Sequence, residues 1–297
     1  MRIPFAHFRR LQFILCLIVL ASAGAAARAQ SAVTLTPAVV EAGSPELIRV
    51  EAPATATLEG EWMGHNLAFF RGGENRAWFA LAGVDVEAPV GPSTLKISVH
   101  LPQATTRVLT RTIEIHAAHY RTGALTVAPK FVEPGTEALK QIEAEAKLKA
   151  TVFASSVAEP LWTGSFRRPV TAQPTDSFGT RRMFNGKLAS IHKGMDFRAR
   201  MGTPVRAANS GVVVLARPLY YEGNCVVIDH GMGLFTLSMH FSRIDVHEGQ
   251  RVAVGDQLGL SGATGRVTGP HLHWAVRWQG AYLDPAKLLH LDLSSIR

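Results

Sequence analysis

The chain has 297 residues, of which 47% are hydrophobic and 18% are charged. This composition excludes an intrinsically disordered protein, and the length is sufficient for two domains. Two cysteines are too few for a disulfide-stabilised scaffold. The net charge of +8 is unevenly distributed, because residues 1–29 carry +4, residues 30–160 carry −3 and residues 161–297 carry +7.

Residues 1–29 have the features of a secretory signal peptide. A basic segment at 1–10 precedes an apolar run at 11–26, and Ala-Arg-Ala at 27–29 is typical of a signal peptidase site. Ser22 and Gly24 interrupt the apolar run, which is shorter than the ~20 residues that span a membrane. Cleavage is therefore favoured over a retained anchor. The mature chain is predicted to be periplasmic or secreted, with no stable membrane insertion.

Residues 30–120 are predicted to form an immunoglobulin-like β-sandwich. Short apolar and β-branched runs alternate with a period near two and are separated by proline and glycine, as in half-buried antiparallel strands. About seven such strands over ~85 residues are typical of this sandwich. The region contains no cluster of catalytic residue types. By analogy with other accessory domains, we expect it to regulate access to a site elsewhere or to bind a regulatory protein partner.

Residues 121–160 are predicted to be a linker that contains one helix. Apolar residues in Pro134–Ala150 recur at three- and four-residue steps, which gives a helix with one apolar stripe. Glu143 and Lys147 have the i,i+4 spacing of a stabilising pair on its charged side. We expect this helix to be a spacer between domains, with no part in catalysis.

Residues 161–297 are predicted to form a compact all-β domain with long functional loops. Sixteen of the 26 glycines fall here, between short apolar runs, and no convincing helical period occurs before Pro285. Cys225 is the only cysteine beyond the predicted signal peptide. It lies in an apolar run and is interpreted as a packing residue.

Five residues of this domain are candidates for metal binding and proton transfer. His192 and Asp196 are four residues apart, and His271 and His273 are two apart, which places both imidazoles on one face of a strand. His240 ends another predicted strand. Two imidazoles and one carboxylate form a common zinc-binding set that leaves one position for water, and two further imidazoles suit proton transfer near neutral pH. Spacing does not distinguish the role of His271 from that of His273.

A series of short motifs extends in order along residues 161–290. They are Phe178-Gly179-Thr180-Arg181-Arg182, His192–Asp196, Gly202-Thr203-Pro204-Val205, Ala207–Val213, Gly223–Gly233, the His240 segment, Glu248-Gly249-Gln250, Gly262–Gly265, Thr268–Trp274 and Asp284-Pro285. In their joint order and spacing they resemble the lysostaphin/LytM-type zinc metallopeptidases, which are murein endopeptidases with the duplicated-hybrid-motif β fold.

The resemblance implies a role for each candidate residue. His192 and Asp196 match the first two zinc ligands of the family, and His273, the second histidine of His-x-His, matches the third. His271 and His240 match the two catalytic imidazoles. These assignments come from the family and not from the spacing.

The implied function is that of an exported zinc-dependent endopeptidase, which uses metal-activated water to hydrolyse peptide bonds in peptidoglycan cross-links or stems. The charge of +7 on residues 161–297 suits a polymer that carries carboxylates. Export and scant basic–aromatic interleaving argue against nucleic acid. The alternative is a non-catalytic cell-wall-binding protein or an activator of a murein hydrolase. Relatives of that kind usually lack ligands, whereas all five positions are present here.

Other residues in these motifs have less defined roles. Ser238 stands where the family usually has tyrosine, so we expect an altered subsite shape rather than loss of the chemistry. His230 and His247 are interpreted as structural. Arg181 and Arg182 either bind substrate carboxylates bidentately or lie on the surface.

Overall fold

The computed structural model describes residues 32–73, 77–102, 105–124, 134–184 and 187–296, so the signal peptide predicted at 1–29 lies outside the described residues. Within these ranges the protein is mainly β, which confirms the predicted class. None of the helices in the described part of the chain has the length and apolar character needed to cross a bilayer.

Among the described residues, nine strands precede residue 120. They are β1 (Val33–Thr36), β2 (Val40–Glu41), β3 (Pro45–Glu51), β4 (Thr57–Trp62), β5 (His65–Leu67), β6 (Phe70–Arg71), β7 (Ala77–Gly83), β8 (Gly91–His100) and β9 (Arg107–His116). They form one sheet with the order β1-β3-β7-β6 and another with the order β2-β9-β8-β4-β5. The assignment of these sheets to an immunoglobulin-like sandwich stays a prediction.

The core of this region follows from alternation along the strands. In β8, Leu95, Ile97 and Val99 are buried while the residues between them are more exposed, and β9 buries Leu109 and Ile113 in the same way. Successive side chains of a strand point to opposite faces, so these apolar positions share one buried face.

The remaining strands belong to the carboxy-terminal part of the chain. They are β10 (Thr122–Ala124), β11 (Pro174–Asp176), β12 (Arg181–Phe184), β13 (Lys187–Ile191), β14 (Met195–Phe197), β15 (Pro204–Arg206), β16 (Gly211–Leu219), β17 (Gly223–Asp229), β18 (Leu234–Ile244), β19 (Arg251–Val252), β20 (Gln257–Ser261), β21 (Leu272–Trp278) and β22 (Ala281–Leu283). Seven strands of a ten-stranded sheet follow the order β11-β14-β21-β18-β17-β16-β19. The other three lie off this path: β20 pairs with β18 and β15, and β22 pairs with β21. A three-stranded sheet has the order β10-β12-β13. The strands of the ten-stranded sheet contribute buried core residues, among them Phe197, Phe241, Leu272 and Trp274.

Helix α1 (Thr136–Ala154) begins two residues after the predicted start and ends four residues after the predicted end. It has no fully buried residue, but its half-buried Leu148, Val152 and Phe153 pack against the buried cluster that includes Leu215 and Phe235. The helix is therefore attached to the carboxy-terminal sheet and is more than a spacer.

A second helix, α2 (Pro285–His290), lies near the carboxy terminus and is followed by a 3-10 turn at Ser294–Ile296. Asp284 caps α2 by accepting a hydrogen bond from the Ala286 N–H at 2.9 Å, and proline occupies its first position, where no N–H is needed.

The two β-rich regions contact each other through hydrogen bonds and an ion pair. The Tyr282 N–H donates to Asp85 Oδ2 at 2.7 Å, and the Lys287 ammonium lies 2.5 Å from Glu41 Oε2. Buried residues of both regions, such as Ile48 and Trp278, belong to one hydrophobic cluster. The amino-terminal sheets are therefore packed against the carboxy-terminal part.

Candidate metal centre

Strand pairing places two of the candidate residues, Asp196 and His273, opposite each other. Antiparallel β14 and β21 pair so that Asp196 is the register partner of His273. His271 lies just before β21, and the intervening Leu272 is fully buried. The two imidazoles therefore share the face opposite Leu272, as the two-residue period predicts.

His192 completes a cluster of three side chains. Its Nε2 lies 3.1 Å from Asp196 Oδ1 and 3.0 Å from His273 Nδ1, and His273 Nδ1 lies 2.8 Å from the same Oδ1. His192 precedes β14 in a short loop, as the sequence between His192 and Asp196 predicts. The cluster has the composition and the close spacing of a group that could hold one metal ion.

The hydrogen bonds of His192 indicate which ring nitrogen faces the cluster. Its Nδ1 lies 3.0 Å from the carbonyl oxygen of Ser177, which can only accept a hydrogen bond. An Nδ1–H donor leaves Nε2 with a lone pair directed at Asp196 and His273. A backbone carbonyl that binds the second nitrogen in this way commonly orients metal-binding imidazoles.

The electrostatics of the cluster fit a cation. Burial raises the pKa of Asp196, but hydrogen bonds and charge from His192 and His273 outweigh this effect and lower the pKa well below its usual range. The carboxylate is therefore ionised at neutral pH. Burial lowers the pKa of His273. Donor atoms this close together need a proton or a metal ion between them. Two ring nitrogens and one carboxylate oxygen form a set that fits zinc in place of the shared protons.

His240 and His271 lie beside the cluster. Their ring centroids are 4.9 Å apart, and His271 Nε2 is 3.8 Å from Asp196 Oδ1. Each Nδ1 donates to a backbone carbonyl, that of Thr264 for His240 and that of Gly269 for His271, both at 2.8 Å. Each Nε2 therefore has a lone pair available to accept a proton. Burial, followed by the nearby His273 and His271, lowers the pKa of His240 to about 3, so this ring is neutral at neutral pH.

An open cleft of about 520 Å³ extends over the cluster. Asp196, His240, His271 and His273 line it, and His192 lines an adjoining depression. The structure thus brings all five predicted residues to one place. Other lining residues are Gly123, Thr175, Asp176, Thr180, Arg182, Ser190, Arg198, Arg266 and 267–270.

Arg182 contacts the cluster directly, which the sequence left open. Its Nη2 lies 3.1 Å from Asp176 Oδ2 and 3.5 Å from Asp196 Oδ2. The second carboxylate oxygen of Asp196 is therefore oriented by a guanidinium while the first faces the histidines. Arg181 is exposed, and its N–H donates to the Arg121 carbonyl.

Gly194 is a site residue that the sequence analysis missed. A Cβ at this position would lie 2.4 Å from His273 Nε2 and 2.8 Å from the Trp274 carbonyl oxygen. Only glycine therefore fits without displacing His273. The glycine inside the His192–Asp196 segment was the available signal, but its partner becomes visible only when β14 pairs with β21.

Three other residues have surroundings that fit their structural interpretation. His230 is buried, with Nδ1 2.7 Å from the Ser210 carbonyl oxygen and Nε2 2.8 Å from Thr236 Oγ1. Burial lowers its pKa to about 4. His247 is exposed and bonds the Glu248 carbonyl. Cys225 is buried, which raises the pKa of its thiol and keeps it protonated.

Comparisons with known proteins agree with this geometry. Residues 190–285 match the model of peptidase family M23. The chain is 42% identical over 131 residues to the peptidoglycan DD-endopeptidase ShyA of Vibrio cholerae, covering 41% of this chain and 30% of that protein. It is 41% identical over 98 residues to the DD-carboxypeptidase/endopeptidase Mpg of Neisseria meningitidis, covering 33% and 23% respectively. The matches thus span less than a third of the length of these relatives.

Similarity to solved structures extends over most of the chain. A candidate peptidase M23 from Pseudomonas aeruginosa superposes with a TM-score of 0.58 and 27% identity, over 80% of this chain and 95% of that one. The matched residues 190–285 include all five clustered side chains, those of His192, Asp196, His240, His271 and His273. The match to peptidase family M23 is therefore carried by residues 190–285, and it confirms the resemblance to the lysostaphin/LytM-type metallopeptidases for this part of the chain.

Proposed function

We propose that the chain is an exported zinc-dependent endopeptidase that hydrolyses peptide bonds in peptidoglycan cross-links or stems. The observation that carries the proposal is the convergence of His192, Asp196 and His273 on one point, with His240 and His271 beside them at the floor of an open cleft. The names of the relatives ShyA and Mpg support the choice of substrate.

His192 Nε2, Asp196 and His273 Nδ1 are the proposed zinc ligands. Zinc bound there would polarise the scissile carbonyl and lower the pKa of a water molecule. Arg182 holds the Asp196 carboxylate in place through its contact at 3.5 Å. The Ser177 carbonyl does the same for the His192 ring through Nδ1. These contacts fix the ligands before substrate binds.

His240 and His271 are the proposed proton-transfer residues. Their Nδ1–H groups are held by backbone carbonyls, so each ring presents Nε2 to the cleft. A neutral imidazole accepts the proton of the attacking water, and the resulting imidazolium can donate a hydrogen bond to the oxyanion and a proton to the leaving amine. Burial keeps the His240 ring neutral at neutral pH, and the neutral ring is the form that can accept a proton.

The charge of the cleft supports an anionic peptide substrate. Asp176 and Asp196 are already engaged by Arg182 and by the histidines. Arg198 and Arg266 also line the cleft, and among the described residues no ion pair joins either guanidinium to a carboxylate. Stem-peptide carboxylates would provide partners for these two side chains.

The remaining parts of the proposal concern the rest of the chain. We assign residues 1–29 to a cleaved signal peptide, which would deliver the enzyme to the periplasm or the exterior. We assign residues 30–120 to an immunoglobulin-like domain, 121–160 to a linker and 161–297 to the peptidase domain. The strand orders β1-β3-β7-β6 and β2-β9-β8-β4-β5 support the immunoglobulin-like assignment. Binding of a regulatory protein by this domain stays a prediction.

Digestion of purified peptidoglycan tests the proposed function. The mature chain should release soluble fragments whose masses identify a cleaved peptide bond. Chelator should stop the release, and zinc should restore it. His271→Ala should abolish cleavage, whereas His247→Ala, a change of an exposed histidine, should not. Binding to peptidoglycan without cleavage would instead support the non-catalytic alternative.

A further inference from the structure

We infer that helix α1 is part of the catalytic apparatus, because Glu145 and Lys149 position His240 through the turn at 220–222. This inference rests on the proposed role of His240 in peptide hydrolysis. Helix α1 lies at 136–154, outside the matched family region at 190–285.

Two side chains of α1 bind the turn that joins β16 to β17. The Glu145 carboxylate accepts the Tyr220 N–H, with distances of 2.9 and 3.1 Å to its two oxygens. The Lys149 ammonium forms a hydrogen-bonded ion pair with Glu222. The side chains of Lys149 and Glu222 are only 28% and 13% exposed, so this pair is screened by solvent far less than a surface pair. The turn is therefore held at both of its ends by the helix.

The same turn holds the backbone of His240. The Glu222 carbonyl accepts the His240 N–H at 3.0 Å. His240 has a φ of 67°, in the left-handed region that residues with a Cβ rarely adopt unless their surroundings enforce it. The bond from His240 to the turn is one of the contacts that enforce this conformation.

The turn also holds the loop that orients the His240 ring. The Tyr221 carbonyl accepts the Arg266 N–H at 2.8 Å. A Cβ at Gly223 would lie 2.4 Å from the Thr264 carbonyl oxygen, so the two backbones are in direct contact. That carbonyl oxygen accepts the His240 Nδ1–H at 2.8 Å. Movement of the turn would therefore change both the backbone and the ring of His240.

The metal cluster is held by a different set of contacts. His192, Asp196 and His273 bond one another, the Ser177 carbonyl and Arg182. Loss of the contacts between α1 and the turn should therefore lower the turnover rate without removing the metal. A misplaced proton acceptor slows the chemical step even when substrate still binds.

Helix α1 provides its own control. Glu143 and Lys147 form an ion pair at 2.7 Å whose side chains are 69% and 76% exposed. We therefore compare Lys149→Gln with Lys147→Gln, and Glu145→Ala with Glu143→Ala, in the zinc-loaded mature chain. Circular dichroism and elemental analysis establish that each variant is folded and retains its metal.

The kinetic experiment uses a soluble cross-linked peptidoglycan fragment. We expect kcat to fall about tenfold or more in Lys149→Gln and Glu145→Ala, with KM within about twofold and zinc content unchanged, because proton transfer is sensitive to small displacements. Lys149→Arg should restore most of the rate, and Lys147→Gln and Glu143→Ala should match the wild type. Equal kcat values for Lys149→Gln and Lys147→Gln would overturn the inference, as would a loss of zinc in Lys149→Gln.

A spectroscopic measurement separates this inference from the proposed function. In the zinc-loaded protein, the ¹⁵N resonances of the His240 ring should shift in Lys149→Gln but not in Lys147→Gln. If the wild type cleaves no peptidoglycan, the proposed function fails, and these resonances still decide whether α1 positions His240. Unchanged His240 resonances in Lys149→Gln would overturn the inference.

Discussion

Asp196 and His273 face each other across two antiparallel strands, with His273 Nδ1 2.8 Å from Asp196 Oδ1. Because both residues are fixed by the β14–β21 ladder, their separation depends on backbone hydrogen bonds more than on flexible loops. His192 joins them from the loop that precedes β14. A rigid ligand pair of this kind favours metal binding, since little ordering is required when the ion binds.

Asp196→Ala should remove the metal. The variant loses the anionic ligand, and two neutral imidazoles alone hold zinc weakly, so zinc content should fall from about one equivalent to near zero after dialysis. Elemental analysis of the purified protein measures this. Asp245→Ala removes a carboxylate from an exposed ion pair with Arg243 and should leave the zinc content unchanged. Full zinc retention by Asp196→Ala would refute its role as a ligand.

Gly194→Ala should weaken metal binding although residue 194 is not a ligand. The new Cβ would lie 2.4 Å from His273 Nε2, so the His273 ring must move. We expect zinc affinity to fall about tenfold or more, and the free energy of unfolding of the metal-free protein to fall by about 1–3 kcal/mol. Zinc titration with a competing chelator and urea unfolding measure the two effects.

Gly269→Ala is the control for this change, because a Cβ at residue 269 meets no other atom within 4 Å. Its zinc affinity should equal that of the wild type. Equal affinities for wild type and Gly194→Ala would show that His273 has room to adjust and would contradict the steric argument.

The sequence was sufficient to predict residues that contribute side chains to the cluster, and insufficient to predict those that support them. His271 and His273 share a face because strand geometry has a period of two, which can be read from one segment. The contact of Gly194 with His273 joins positions 79 residues apart and depends on strand register. The ion pairs of Arg182 depend in the same way on where Asp176 and Asp196 meet.

Arg198→Gln should raise KM for substrates with free carboxylates. Arg198 lines the cleft and is exposed, so its guanidinium is available to a substrate anion. We expect KM to rise about fivefold to tenfold with little change in kcat, and the effect should vanish for a substrate whose carboxylates are amidated. Arg251→Gln, a change of an exposed arginine on β19, serves as the control. An equal effect on both substrates would exclude carboxylate recognition by Arg198.

Glu46→Gln should remove a pH dependence of stability. Burial raises the pKa of Glu46 to about 8, against the opposing effects of the Ser44 hydrogen bond and the charge of Lys287. The folded state therefore keeps a proton that the unfolded state releases at its normal pKa of about 4.5. The contribution of Glu46 to the free energy of unfolding is fully present below about pH 4.5. It is lost as the pH rises through about 8, and the total loss is roughly 3–5 kcal/mol.

Urea unfolding at about pH 5 and about pH 8 measures this effect. The wild type should lose stability between the two conditions, and Glu46→Gln, which is neutral at both, should lose much less. Glu59→Gln changes a glutamate whose side chain is 81% exposed and should behave like the wild type. Identical pH dependence in Glu46→Gln and wild type would contradict the assignment of a buried, protonated Glu46.

Helix α1 illustrates a second limit of the sequence. The three- and four-residue periodicity predicts the helix within a few residues of its observed ends. It does not reveal that Glu145 and Lys149 contact the 220–222 turn while Glu143 and Lys147 face solvent. All four are charged residues of one helix, and only the docking of α1 on the sheet separates them.

The central claim, one metal ion held by His192, Asp196 and His273, is tested most directly by locating zinc in crystals of the mature protein. Anomalous scattering at the zinc absorption edge should show a single peak within roughly 2.0–2.2 Å of His192 Nε2, an Asp196 oxygen and His273 Nδ1. A zinc-loaded protein with no anomalous peak between these three atoms, or with its peak at another set of ligands, would contradict the account.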